Sequence, residues 1–316
     1  MDAGDTSSAD AARDATIDSG EIGCLGPPGL YRSGSCTELA DGVRAFQPAY
    51  ALWTDGAIKE RFIYIPPGTQ IDASDPNGWV FPVGTRLYKT FSLDGVRLET
   101  RLLEKTRAGV GFYNWETRAF LWNGTQDAVV ENDGEFVENV LGTQHDVPSR
   151  DMCRQCHSAN SDGVNGFSAV QLAHDGPGIT LDDLNREERL IPQLASMDAR
   201  LPGDEATQAA LGYLHANCAH CHQADGPAGS LTGLLVRVDV GLERPEETQT
   251  YRSAVDVPGN WVAVGARLRV ASGDSEASTI VRRMSSREPA VQMPPMGTEI
   301  VDPVGLELVR RWINGM

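Results

Sequence analysis

Two pentapeptides hold the residues able to do chemistry: Cys153-Arg-Gln-Cys156-His157 and Cys218-Ala-His-Cys221-His222. Each reads C-x-x-C-H, the attachment signature of a c-type haem. Two thiols at this spacing add across the two vinyl groups of one porphyrin, and the adjacent histidine lies beneath the iron as its proximal ligand. The spacing predicts two covalently attached haems, one on Cys153 and Cys156 with His157, the other on Cys218 and Cys221 with His222. The four cysteines also form two C-x-x-C pairs, the outline of a four-thiolate zinc site. Such a site needs no histidine after either pair, and here both pairs carry one.

The sixth ligand decides what a haem iron does. A histidine or methionine there suits electron transfer, whereas an open position admits peroxide or oxygen. For the second haem the expected ligand is Met293, in Gln292-Met-Pro-Pro-Met296 just ahead of the last predicted helix. Met296 is the alternative from the same loop, and Met284 reads as core. Methionine–histidine ligation raises the potential, so this haem is expected to be the stronger oxidant. For the first haem, His174 is the first choice, because it follows a predicted short helix within reach of His157. His215, His145, Met152, Met197 and an empty position stay open. His220 lies between the cysteines of the second motif and reads as facing solvent. Arg150 and Arg154 are available to pair haem propionates, although a solvated face is the simpler role for each. The chain carries no Ser-His-Asp arrangement, phosphate loop or paired-carboxylate motif.

These residues must be positioned by a chain of 316 residues, 41% hydrophobic, which is long enough for a sizeable core and two domains. A formal charge of −17 excludes nucleic acid as a partner and favours redox proteins with a basic docking face. No run of about 18 apolar residues exists, so no transmembrane segment is expected. Cys24 and Cys36, outside both motifs, flank a short Gly/Pro/Ser stretch and are expected to form a disulfide. A disulfide and haem c both imply export to the periplasm, the cell surface or the medium. Residues 1–22, rich in Asp, Ala and Ser, have the composition of a disordered acidic tether. A cleaved export signal, or a lipid anchor upstream of the tether, is the expected companion.

Residues 23–150 read as β. Short runs rich in β-branched and aromatic residues are punctuated by Pro66-Pro67-Gly68, Asp94-Gly95 and Asp133-Gly134. Arg97-Leu-Glu-Thr-Arg-Leu-Leu103 alternates as a strand with one wet face should. A β-sandwich or jelly roll is expected. Residues 151–203 turn helical and read as a linker carrying the first haem motif, with Thr180 and Asp183 forming a capping-box-like start. Residues 204–316 resemble a class I cytochrome c: a helix leads into the second motif, and a last helix begins at Asp302-Pro303. That resemblance implies that the first and last helices cross beside the haem, with Trp312 at the contact. Class I cytochromes usually place a glycine and an aromatic eight and four residues before the first cysteine. Ala210 and Leu214 stand there, so the crossing must be packed differently.

Across residues 45 to 316 the chain also resembles a poorly characterised family of secreted bacterial haem c proteins. The matching stretches are Leu52-Trp-Thr-Asp-Gly56, Trp79-Val-Phe-Pro-Val-Gly84, Glu99-Thr-Arg-Leu-Leu103, Tyr213 to His222 and Gln292-Met-Pro-Pro295. The resemblance implies a β-rich front half with a C-terminal cytochrome domain, and no particular activity. The expected class is therefore α+β and multidomain, and the expected function is single-electron transfer between protein partners by a two-haem cytochrome. Two alternatives stand beside it. One is a peroxidase- or oxygenase-like enzyme with an open first haem fed by the second; the other is a β-domain that binds a polymer or partner and presents the haems. Only some 60 residues separate the motifs, so the first haem is expected to pack between the β-domain and the C-terminal half, with His215 near both cofactors.

Overall fold

The computed structural model describes residues 23–259 and 265–316. The expected tether, residues 1–22, lies outside the described residues. Strands β1 (Val43–Phe46), β2 (Ile58–Tyr64), β4 (Arg86–Leu93), β5 (Val96–Lys105), β6 (Trp115–Trp122) and β7 (Val129–Asn132) form one antiparallel sheet in the order β1-β2-β4-β5-β6-β7. Two-residue strands β3 (Ile71–Asp72) and β8 (Leu190–Ile191) pair in parallel. The β4–β5 hairpin turns on Asp94 and Gly95, whose φ values of 49° and 80° match the twist of the flanking strands.

Both faces of this sheet are covered. On one, Phe62, Tyr88, Leu102 and Phe120 pack under Leu30 and Tyr31, in the segment that the Cys24–Cys36 disulfide closes with Cα atoms 5.5 Å apart. On the other, Ile63, Leu87 and Leu103 pack with Phe81, Phe167, Leu181 and Leu184. Leu102 and Leu103 point to opposite faces because successive strand side chains alternate. The front half is thus one sheet rather than the two stacked sheets of the expected sandwich. Its second layer comes from the segment read as a linker. Helices α2 (Ala169–Leu172) and α3 (Leu181–Arg186) fold back onto the sheet, and β8 docks on β3. Thr180 and Asp183 form the predicted capping box of α3.

Helix α1 (Arg150–His157) is capped by the Ser149 side chain, which accepts from the Met152 N–H. The C-terminal half is helical: α4 (Glu205–Cys218), α5 (Gly229–Thr232), α6 (Gln249–Ala254), α7 (Thr279–Met284) and α8 (Pro303–Asn314). Asp204 caps α4, and Asp302 caps α8 through the N–H groups of Val304 and Gly305. Helices α4 and α8 pack together over Ala210, Leu214, Val309, Trp312 and Ile313. A Cβ on Gly305 would lie 2.0 Å from the Tyr213 ring, so the close crossing depends on that glycine. The small residue stands on the last helix and the aromatic on the first, which is how the crossing forms without a glycine at Ala210.

The halves are joined by polar contacts. Asn217 of α4 accepts the Trp53 N–H at 2.7 Å and donates to the Ala51 carbonyl at 3.0 Å. The Asp55 carboxylate accepts from the Thr298 hydroxyl and from the N–H groups of Glu299 and Ile300, at 2.8 to 3.0 Å. Tyr50 lies on Gly212, where a Cβ would fall 2.0 Å from its ring. Among the described residues no helix is long and apolar enough to cross a membrane.

Candidate functional site

Cys153, Cys156 and His157 fall on the last turns of α1. The loop after them is pinned by Asp162, whose carboxylate pairs with the buried Lys105 ammonium and accepts from Trp115 Nε1 at 3.2 Å, Gly111 N–H at 3.2 Å and Phe81 N–H at 2.9 Å. Burying an ion pair is tolerable only with its remaining hydrogen bonds supplied, as they are here. The pinned loop presents the Gly163 carbonyl 2.6 Å from His157 Nδ1. A ring N–H donated at Nδ1 leaves Nε2 with its lone pair for a metal. Phe112 stacks on the ring at 5.7 Å. Burial, with the Lys89 charge nearby, lowers the His157 pKa to about 4, which keeps it in the neutral form that a metal requires.

The second motif sits in the core of the C-terminal half. Cys218 packs against the α4–α8 cluster, and its burial pushes the thiol up to about 12. His222 is buried and held below its ordinary pKa by that burial, against a hydrogen bond to the Leu234 main chain. The loop beyond it is wound tightly: a Cβ on Gly229 would meet the Gln223 carbonyl oxygen at 1.8 Å. The motifs approach each other at Cys156 and Cys221, whose thiols act on one another: the neighbour lowers the Cys156 pKa to about 7 and raises that of Cys221. Among the described residues no three Cys, His, Asp or Glu side chains converge as a metal site, so the four-thiolate zinc arrangement is not assembled.

A cavity of about 480 Å³ opens between the halves, within the range of small-molecule and cofactor sites. Cys153, Cys156 and His157 line it with Arg61, Lys89 and Arg101 of the sheet, Asn217 and His220 of the C-terminal half, and the loop from Pro294 to Glu299. Its walls come from both halves, as the short spacing between motifs implied. Arg61, Lys89 and Arg101 are direct cross-strand neighbours on β2, β4 and β5. Beside them His145 Nε2 lies 2.7 Å from the fully buried Glu99 carboxylate, which also pairs with Arg101. Burial, with Arg61 and Arg101 adjacent, pulls Lys89 down to about 7.

The candidates for the first iron are scattered. His174 is half-buried; its Nε2 lies 2.7 Å from the Gln47 carbonyl and its Nδ1 accepts the Gly176 N–H, so both nitrogens are engaged away from the cavity. His215 Nδ1 accepts the Val238 N–H at 3.1 Å, which places the ring hydrogen on Nε2 and leaves no free lone pair. It lines a smaller neighbouring cavity that His220 also borders. His145 is committed to Glu99. His220, read as facing solvent, lines both cavities, and burial lowers its pKa to about 4. No hydrogen bond engages its ring among the described residues. Met152 and Met296 also line the large cavity, whereas Met197 is exposed. Met293 is half-buried and its N–H donates to the Arg283 carbonyl, while the Arg283 charge acts on His222. Met284 is core, as expected. Arg150 lines the cavity, and Arg154 is not among its lining residues.

No family model, curated protein or solved structure matches this chain. The donor set itself fits a haem at the first motif: two thiols beside a neutral imidazole with Nε2 free, a cavity of suitable size, and cations on its wall. The wall residues escaped the sequence reading. The alternation along Arg97 to Leu103 is legible, but on its polar face Arg101 lines this cavity and Glu99 is buried against His145, rather than both meeting bulk water.

Proposed function

We propose that this chain is an exported two-haem c-type cytochrome that passes single electrons between protein partners. The observation that carries the reading is the approach of two complete C-x-x-C-H motifs at Cys156 and Cys221, each motif with a histidine held below its ordinary pKa and so in the neutral form. Bound haem would supply reversible one-electron exchange between ferric and ferrous iron. Cys153 and Cys156 would hold one group with His157, and Cys218 and Cys221 the other with His222. Thiols close enough to act on one another would anchor the two groups as neighbours. Met293 would serve the haem of the second site as its sixth ligand, on a C-terminal half read as class I cytochrome c-like. At the first site His220 would take that role, because its ring is the cavity-lining imidazole left free of hydrogen bonds among the described residues. The acidic exterior docks a basic partner.

The buried His145–Glu99 pair favours one second reading, an enzyme in which the first iron stays open and this pair moves protons in the cavity. Mass spectrometry of the exported protein should show two haem additions, and one addition or bound zinc would sink the main reading. A ferric spectrum that is wholly low-spin marks a carrier, and a high-spin share marks the enzyme.

A further inference from the structure

Arg61, Lys89 and Arg101 stand opposite one another across three neighbouring strands, on the face that walls the large cavity. Like charges in directly opposed positions destabilise a sheet, and taking them out of water adds to the cost. Arg101 is compensated by Glu99. Neither of the other two is in an ion pair among the described residues; the Glu99 charge is felt at Lys89 but is already paired with Arg101. Arg61 is only 7% exposed, and its guanidinium reaches the Lys59 carbonyl at 3.3 Å. The Lys89 ammonium lies 6.0 Å from the Phe91 ring. Acid is not scarce, since the chain has 44 Asp and Glu against 27 Lys and Arg. Two cations left outside any ion pair on the wall of one cavity mark a place for an anion.

We propose that Arg61 and Lys89 form a carboxylate-binding site, and that its ligand is the propionate edge of the haem attached to Cys153 and Cys156. This rests on the two-haem reading above. The chemistry matches: haem is an apolar disc with carboxylates at one edge, and the cavity offers apolar walls with cations on the sheet side. Arginine grips a carboxylate with two parallel N–H bonds, and lysine adds a point charge. The ligand supplies the negative charge that the sheet lacks, so cofactor attachment relieves the repulsion along the three strands. A cation near the iron disfavours the extra positive charge of the ferric form, and its removal must lower the potential.

The test compares exported wild type with Arg61→Gln, Lys89→Gln and the double variant, by intact mass and by spectroelectrochemistry. Each single variant should keep two haems and lower one of the two potentials. The ferric-to-ferrous ratio at fixed potential should rise about tenfold, a shift of about 59 mV for one electron. Arg61→Lys should recover the wild-type potential, which separates lost charge from damaged folding. Unchanged potentials in a double variant with both haems attached would overturn the proposal and leave the two-haem reading standing. A saturable spectral change on adding benzoate to wild type, lost in the double variant, would mean that the site serves a diffusible carboxylate, and the propionate assignment would fall. Wild type without haem would overturn both readings at once.

Discussion

A thiol pair and its histidine carry their chemistry in their spacing, but a sixth ligand is chosen by what the fold brings across the iron. His174 had the convenient position in sequence and spends both ring nitrogens on neighbouring main chain. His220 had the unpromising position and reaches the cavity. If it ligates the first iron, His220→Ala should add a high-spin signal to the ferric electron paramagnetic resonance spectrum, and His174→Ala should change nothing. Met296→Ala producing that signal would transfer the role to the loop. At the second site Met293→Ala should abolish the weak sulfur-to-iron band at the red end of the ferric spectrum and lower that potential. The same loss from Met296→Ala would move the assignment, and loss from neither would remove the cytochrome-like reading of residues 204–316.

Elements place these residues through close approaches that one methyl group disturbs. Gly305→Ala would drive a Cβ into the Tyr213 ring, and the α4–α8 crossing should lose about 1–3 kcal/mol, seen as a lowered thermal midpoint. Combining it with Tyr213→Leu should recover part of the loss, because the two residues share one contact. Simple addition of the two effects would show that the crossing does not depend on this pair. The α3 capping box has a pH signature. The Thr180 N–H, followed by its hydroxyl and Arg186, lowers the Asp183 carboxyl to about 2. Its folded pKa thus lies below the ordinary value near 4, so its contribution is complete above that value and is lost as pH falls from about 4 to about 2. Amide exchange at Thr180 and Asp183 should accelerate over that window, and Asp183→Asn should flatten the response.

On the scale of the whole molecule, the two halves are one folded body around a shared cavity, clamped by Asp55, Trp53 and Asn217. The stretch Leu52 to Gly56 does this fastening. It ties the front half to the loop before α8, whose residues Pro294 to Glu299 complete the cavity wall. An exterior of net charge −17 should attract a basic redox partner over a distance that salt shortens to about 8 Å at physiological ionic strength. The association rate with such a partner should fall steeply as salt rises in stopped-flow reduction. A flat salt dependence would mean that docking is apolar.

Sequence alone determined what depends on near neighbours along the chain. The two C-x-x-C-H motifs, the Cys24–Cys36 bridge, the capping box at Thr180, the Asp302-Pro303 helix start and the β-character of residues 23–150 are all legible as local spacing and turn chemistry. What tertiary structure decided depends on residues far apart in sequence meeting in space. A single sheet replaces the sandwich because residues 151–203, amphipathic enough to pass for a linker, bury Phe167, Leu181 and Leu184 on it. The helix crossing takes its glycine from the last helix, with the aromatic Tyr213 on the first, because only the summed shape of the contact matters, not which helix carries which residue. Arg61, Lys89 and Arg101 look like ordinary wet positions of three separate strands. Strand register alone sets them side by side, facing the first motif, because alternation along a strand records polarity and not whether the polar side meets water or a cavity.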